Sequence, residues 1–306
     1  MLSIGIVLLL NSFFEQRKQF QQHMIQLTEC PRDAMQGIKT FIPTEKKVAY
    51  LNLLLKVGFY ALDLVSFVSP DAIPQMADSE DVIAQLEKGD SKTRLIAIIA
   101  NERGARTAIK YPVINDLGFP FSVSETFQKK NTNASIQESL NRVEAIKQIA
   151  DEGNKRLIVY ISMGFGNNYG DPYSPQIVEE WVEKLVTLGI NKIMLSDTVG
   201  VANPQIIEQL FSSLIPKYPN IEIGAHLHTA PHNWRTKIDA AYQNGCTRFD
   251  SVIRGFGGCP MAEDDLIGNM PTENLLNFFD PEKDFGPNFS LKAFEEALRF
   301  SATIFH

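Results

Sequence analysis

The chain has 306 residues and a formal charge of −7 at pH 7, with a pI near 5.4. Its length allows one large core, since α/β barrels of about 250 residues are ordinary single domains. The acidic balance gives nucleic acid and anionic membrane no electrostatic footing, so a small anionic substrate would need a local positive site or a metal ion.

Residues 1–23 differ in character from the remainder of the chain. Ile4 to Leu10 is an apolar run with no Lys or Arg ahead of it and no small-residue cleavage site behind it, and it is too short to span a bilayer. A poor signal peptide, an amphipathic extension and a start site placed upstream of Met24 would all read this way. We therefore treat residues 1–23 as an N-terminal extension and residues 24–306 as one domain. From Met24 onward, short β-type runs alternate with helical patterns, the form taken by successive βα units around a parallel sheet. The spacing predicts eight strands, near Ile25–Glu29, Tyr60–Val65, Leu95–Ala100, Phe119–Val123, Leu157–Ser162, Lys192–Ser196, Glu222–Leu227 and Arg248–Ile253.

Two of the intervening helices are well signed. Ser135 and Glu138 form a capping box ahead of Ile136, Leu140, Val143, Ile146 and Ile149, with Gly153 after the end. Ser174 caps a second helix with Pro175 at its first position and Ile177, Trp181 and Leu185 on one face before Gly189. An open doubly wound sheet shares this alternation. Eight repeats without a glycine-rich phosphate loop after the first strand favour a closed (β/α)8 barrel, an α/β fold of the TIM type, with a short C-terminal extension. Cys30, Cys246 and Cys259 show no paired spacing, which fits a reducing compartment and an expected cytoplasmic location.

In such barrels the C-terminal strand ends form the active face, and polar residues collect there. The first strand ends in Glu29-Cys30-Pro31-Arg32-Asp33, the second in Asp63-Leu64-Val65-Ser66, and the sixth in Ser196-Asp197-Thr198. The seventh ends in His226-Leu227-His228, and the eighth leads into Gly255-Phe256-Gly257-Gly258-Cys259-Pro260. Residues two apart on a strand point to the same side, so His226 and His228 place two imidazoles at one rim. A pair of solvated or core histidines would have the same spacing. The chain has only five histidines, however, and Asp33 is available from another strand end to complete a mixed nitrogen and oxygen site for a divalent metal.

These segments carry a resemblance. Pro31-Arg32-Asp33-Ala34-Met35-Gln36, Ser66-Phe67-Val68-Ser69-Pro70, Pro74-Gln75-Met76-Ala77-Asp78, Ser124-Glu125 with Asn131 to Ser135, Asp197-Thr198-Val199-Gly200, His-Leu-His and Gly-Gly-Cys-Pro follow one another in order. Together they resemble the 3-hydroxy-3-methylglutaryl-CoA lyase family, over about residues 24–274. The wider superfamily of metal-dependent lyases and Claisen-type synthases shares the Arg-Asp and His-x-His parts. Ser-Phe-Val-Ser-Pro and Gly-Gly-Cys-Pro point to the lyase branch.

The resemblance implies that Asp33, His226, His228 and Asn269 ligate the metal, with Mg²⁺ or Mn²⁺ expected and Zn²⁺ also compatible with these ligands. It implies catalytic positions for Arg32, Asp63, Asp197, His226 and Cys259, and substrate contacts for Gln36, Ser66, Tyr169 and Thr198. An acyl-CoA thioester is the expected substrate, and a homodimer the expected assembly. The chain departs from the family in four places: Asp63 stands where the family has Glu, and Ala34-Met35 where it has Gly-Leu. Gly166 to Asp171 keeps only the tyrosine of the family's loop, and the segment between Cys259 and Asn269 is longer and acidic.

Each role has a chemical reason. A tertiary alcohol β to a thioester carbonyl cleaves its carbon–carbon bond when the hydroxyl loses its proton while charge moves onto the thioester oxygen, and a metal assists both changes. Asp197 or His226 is the candidate base, Arg32 offers fixed donors to the forming enolate, and Cys259 on a glycine-rich loop is the candidate acid. Arg103, Lys129 and Lys130 follow the third and fourth strands and are the basic residues placed to meet coenzyme A phosphates. Two other functions share parts of the pattern: a citramalate- or isopropylmalate-type synthase, which usually carries a further C-terminal region, and a non-catalytic barrel kept as a binding module.

Overall fold

The computed structural model describes residues 24–258 and 267–305. Eight parallel strands close in sequential order: β1 (Gln26–Glu29), β2 (Ala61–Ser66), β3 (Arg94–Ile98), β4 (Asp116–Ser122), β5 (Arg156–Ser162), β6 (Lys192–Ser196), β7 (Glu222–His226) and β8 (Arg248–Ser251). The ring is completed by β1 on β8, with Gln26 opposite Arg248 and Thr28 opposite Asp250. The fold is therefore the expected (β/α)8 barrel. No helix among the described residues is long and apolar enough to cross a membrane.

Alternation along the strands sorts the side chains into two sets. One set packs outward into a continuous apolar layer under the helices, with Leu95, Phe119, Ile161, Leu195 and Phe249 almost fully buried. The other fills the barrel in tiers. At the N-terminal end Asp116 is clamped between Arg94 and Arg156, and Glu222 between Lys192 and Arg248. Above these charges Ala61, Ile96, Ile98, Ile158 and Met194 make a small apolar plug. Gly224 gives Met194 its room, since a Cβ there would stand 2.6 Å from the methionine sulfur. The tier above the plug is polar and forms the floor of the site.

Seven strand starts fall within a residue of expectation, whereas β4 begins at Asp116, three residues before Phe119. Asp116 and Gly118 fall outside the expected strand. Inside the barrel the Asp116 carboxylate is satisfied by two guanidinium groups, Arg94 Nη2 at 2.7 Å and Arg156 Nη2 at 2.7 Å. β8 stops at Ser251 and passes into a short 3-10 turn, Ile253–Gly255, where the sequence suggested strand through Ile253.

Both signed helices form. Ile136–Glu152 carries the complete capping box of Ser135 and Glu138. Its end differs from expectation: Gly153 keeps a negative φ and Asn154 takes the left-handed position at φ 52°. Gly153 is needed for close approach instead, because a Cβ would stand 2.6 Å from Ile109 Cγ2. Pro175–Thr187 is capped by Ser174, and its buried stripe is Val178, Val182 and Leu185, with Ile177 and Trp181 at the margin.

Candidate active site

β1 runs almost directly into a short helix, Pro31–Gln36, whose first position is proline. Arg32, Asp33 and Gln36 are therefore held on a stiff turn, not on a free loop. Arg32 Nη1 donates to Gln36 Oε1 at 2.7 Å, and Gln36 Nε2 donates to Asp33 Oδ1 at 2.7 Å. Arg32 also grips Asp63 of β2 through Nε at 3.1 Å and Nη2 at 2.5 Å. The shorter acidic side chain thus still reaches the arginine. A bulge between Asp63 and Val65 shifts the register of β2, which lets both Asp63 and Ser66 face the same cavity.

His226 ends β7 and the chain continues extended, so His226 and His228 share a side with ring centroids 5.4 Å apart. Asn269 reaches them through an antiparallel bridge to His228, fixed by Thr229 N–H to Gly268 O at 2.9 Å and Met270 N–H to Leu227 O at 3.1 Å. Its amide nitrogen donates to Asp33 Oδ2 at 2.8 Å and to Phe256 O at 3.0 Å. Gly257, at φ +85°, closes on this group: a Cβ would stand 2.9 Å from the Asp33 carbonyl and 3.1 Å from Asn269 Nδ2. No side chain fits there.

One donor atom each from Asp33, His226 and His228 lies within 4.8 Å of the others. A carboxylate, two imidazoles and an adjacent amide fit a divalent ion of mixed nitrogen and oxygen preference. The charges agree. Burial and the neighbouring His226 push His228 down to about 3, so it stays neutral and keeps a lone pair for a metal. Burial would raise the Asp33 carboxyl, but Arg32, His226 and the Asn269 amide hold it below the ordinary carboxylate range. Burial also works against the Arg32 charge, and Asp63 with Asp33 more than restores it.

These groups form one end of a cavity of about 430 Å³. Arg32, Asp33, Asp63, His226 and His228 line the polar end, while Val68, Ile73, Ile98 and Phe127 line an apolar wall. Gln36, Ser66 and Thr198 also line it, where the substrate contacts were expected. Arg103 lines a second cavity of about 260 Å³ that shares Ser66, Val68, Ser69 and Asn101 with the first. Lys130 lines the main cavity, with its ammonium 4.6 Å from the Tyr169 ring centroid, and Lys129 pairs with Glu125 at 3.1 Å.

Two expected residues fall elsewhere. Asp197 does not line the cavity: its side chain is fully buried, with Oδ2 on Lys237 Nζ at 2.6 Å and Oδ1 on the Ala202 amide at 2.9 Å. The sequence suggested a place beside a substrate hydroxyl, and in the structure its carboxylate faces Lys237. Tyr169 is not among the residues that line the cavity; its ring packs on Phe127, which does, at 6.3 Å between centroids. Cys259 lies outside the described residues, two positions beyond Gly257.

A family model described as HMGL-like matches residues 25–297. The hydroxymethylglutaryl-CoA lyase YngG of Bacillus subtilis is 31% identical over 270 residues, 88% of this chain and 89% of that protein. The chain belongs to the HMGL-like family. The human mitochondrial hydroxymethylglutaryl-CoA lyase is 32% identical over 246 residues, 80% of this chain and 75% of its own length. Among solved structures, an HMG-CoA lyase from Acinetobacter baumannii in complex with coenzyme A and 3-methylmalate superposes with a TM-score of 0.83 at 29% identity, covering 92% of this chain and 91% of that one. The chain is thus an enzyme of a carbon–carbon lyase family, and neither a synthase nor an inert barrel is favoured.

Three residues of the site escaped the sequence reading. Asp250 of β8 meets His226 Nδ1 at 3.1 Å, Lys237 closes on Asp197, and Tyr160 lines the cavity with its ring edge-on to His226 at 6.2 Å. Asp250 and Tyr160 carry a signal that could have found them, because each lies on the inward alternation of a strand whose last inward residues face the site. Lys237 carries none, since a lysine within a helix ordinarily faces water.

Proposed function

We propose that this protein cleaves a 3-hydroxy-3-methylglutaryl-CoA type thioester to acetyl-CoA and acetoacetate. The observation that carries the reading is the convergence of Arg32, Asp63, Asp33, His226 and His228 on one cavity end, opposite an apolar wall that an acyl chain can cover. Asp33, His226, His228 and Asn269 would hold a divalent ion, for which Mg²⁺ or Mn²⁺ fits the hard oxygen share of the site. When bound, it supplies Lewis acidity to the substrate's oxygens.

The residues of the chain account for the rest. The C3 hydroxyl loses its proton, the C2–C3 bonding pair moves into the thioester enolate, and C2 then takes a proton to give acetyl-CoA. Arg32 is always charged and is oriented by Asp63 and Gln36 before substrate arrives, so its donors need no rearrangement to meet the developing enolate oxygen. Asp63 and His226 line the cavity end as candidates to take the hydroxyl proton, His226 only if one ring nitrogen stays uncommitted. Cys259 comes directly after the turn that packs on Asp33 and Asn269, which supports it as the acid that returns a proton to C2. Arg103 lines a cavity that shares Ser66, Val68, Ser69 and Asn101 with the main one, which supports a place there for the phosphate-bearing end of the thioester.

The test is direct. Purified protein is assayed for acetyl-CoA release from a panel of 3-hydroxyacyl-CoA thioesters, with Mn²⁺ or Mg²⁺ and with a chelator. Release from the 3-hydroxy-3-methylglutaryl thioester, abolished by chelation, is expected. Full activity in a metal-free preparation, or release from none of the panel, would overturn the reading.

A further inference from the structure

Beneath the site, the barrel holds a column of polar groups that the reaction does not use. Asp250 is the top of it. Its side chain is fully buried, and Oδ2 lies 3.1 Å from His226 Nδ1. Its other oxygen has no protein partner among the described residues. Two residues earlier on the same strand, and so on the same side of it, Arg248 is 1% exposed and bonded through Nη1 to Glu222. Its Nε and Nη2 also find no hydrogen-bond partner among the described residues. Asp250 and Glu222 both act to hold the Arg248 charge. A buried carboxylate is costly unless a cation or donors compensate it, and Arg248 is the cation that stands below.

We propose that Asp250 is a positioning residue for the metal site: it accepts the Nδ1 proton of His226 and thereby fixes the tautomer that presents Nε2 to the ion. The inference rests on the metal site proposed above. A neutral imidazole has one N–H and one lone pair, so the bond that one nitrogen makes decides what the other can do. With no carboxylate at Nδ1, either tautomer would be open to His226, and one of them points a proton at the ion. A ring so committed also leaves no nitrogen for the substrate's hydroxyl proton. That proton then falls to Asp63, the other acceptor that lines this end of the cavity.

Two measurements test this, and neither uses a thioester. The first is the ¹⁵N spectrum of His226 in the metal-free wild-type protein, where the Nδ1–H tautomer is expected and the Nε2–H tautomer would overturn the proposal. The second is the Mn²⁺ dissociation constant, followed by the loss of the free-ion electron paramagnetic resonance signal. Asp250→Asn keeps the size of the side chain but can donate to Nδ1, and Mn²⁺ affinity is expected to fall about 10- to 100-fold. Asp250→Glu, which keeps the carboxylate, should recover part of the loss. An Asp250→Asn protein with wild-type circular dichroism and wild-type Mn²⁺ affinity would sink the idea, and if that variant does not fold the tautomer measurement decides alone. A protein with the expected tautomer and metal affinity that releases no acetyl-CoA would overturn the lyase reading and leave this inference standing.

Discussion

Arg32 makes four hydrogen-bond contacts in the resting site, three of them to Asp63 and one to Gln36, and together they fix the orientation of its guanidinium. Help of this kind acts on charge that appears only as the bond breaks, so Arg32→Gln should lower kcat by several powers of ten, for a loss of about 3–5 kcal/mol, with a much smaller rise in KM. Steady-state kinetics decide it, and near-normal kcat would reduce Arg32 to the ion-pair partner of Asp63. Lys237 is a different case. It touches no part of the cavity, yet its ammonium bonds Asp197 Oδ2, the His228 carbonyl at 2.8 Å and the Gly200 carbonyl at 3.1 Å, joining the ends of β6 and β7. Lys237→Met strands the Asp197 charge and should cost about 3–5 kcal/mol in urea unfolding, most of it recovered when Asp197→Asn is added.

At the scale of elements, the tier of charges at the N-terminal mouth of the barrel makes a prediction about acid. Burial would raise the Asp116 carboxyl, but hydrogen bonds and charge from Arg156 and Arg94 bring it below the ordinary value. A depressed folded pKa contributes stability above the unfolded value of about 3.9 and loses it as pH falls through the folded pKa. Asp116→Asn should therefore be less stable than wild type at pH 7, by about 3–5 kcal/mol for a broken buried pair. The gap should narrow steadily below about pH 3.9, measured by denaturant unfolding across that range. An equal gap at every pH would mean that packing, not charge, holds β4 in place. The cysteines can be sorted at this scale too: Cys30 and Cys246 are buried in the strand and helix layers, and burial pushes Cys246 up to about 12. Thiol alkylation that inactivates the enzyme should then map to Cys259 and be lost in Cys259→Ser.

For the molecule as a whole, the candidate metal site joins segments that are far apart in sequence, since Asp33 comes from the first strand end and Asn269 from beyond the last. An ion bound there links the two edges at which the barrel closes. Mn²⁺ at a hundred times its dissociation constant should add about 2.7 kcal/mol to unfolding and raise Tm, whereas Asp33→Ala should show no such gain. Differential scanning calorimetry with and without Mn²⁺ separates the two results.

The sequence by itself determined the barrel and named most of the residues that the structure brings to the candidate site. Period-two apolar runs separated by capped helices are local signals, and so is the two-residue spacing that puts His226 and His228 on one rim. Proline at the start of the helix after β1 likewise fixes Arg32 and Asp33 by chain-local geometry. What only the tertiary structure decided was which charge meets which. Asp197 reads as a strand-end acid ready for catalysis until Lys237, 40 positions away, is found bonded to it in the interior. Asp116 falls before the expected fourth strand until two arginines from neighbouring strands satisfy it inside the sheet, and Asp250 reads as one more strand residue until closure of the ring brings it to His226. Pairings of this sort come from barrel closure, which brings distant residues into contact at no fixed sequence spacing. A buried carboxylate acts as base, ligand clamp or ion-pair partner according to what stands within about 3 Å of it.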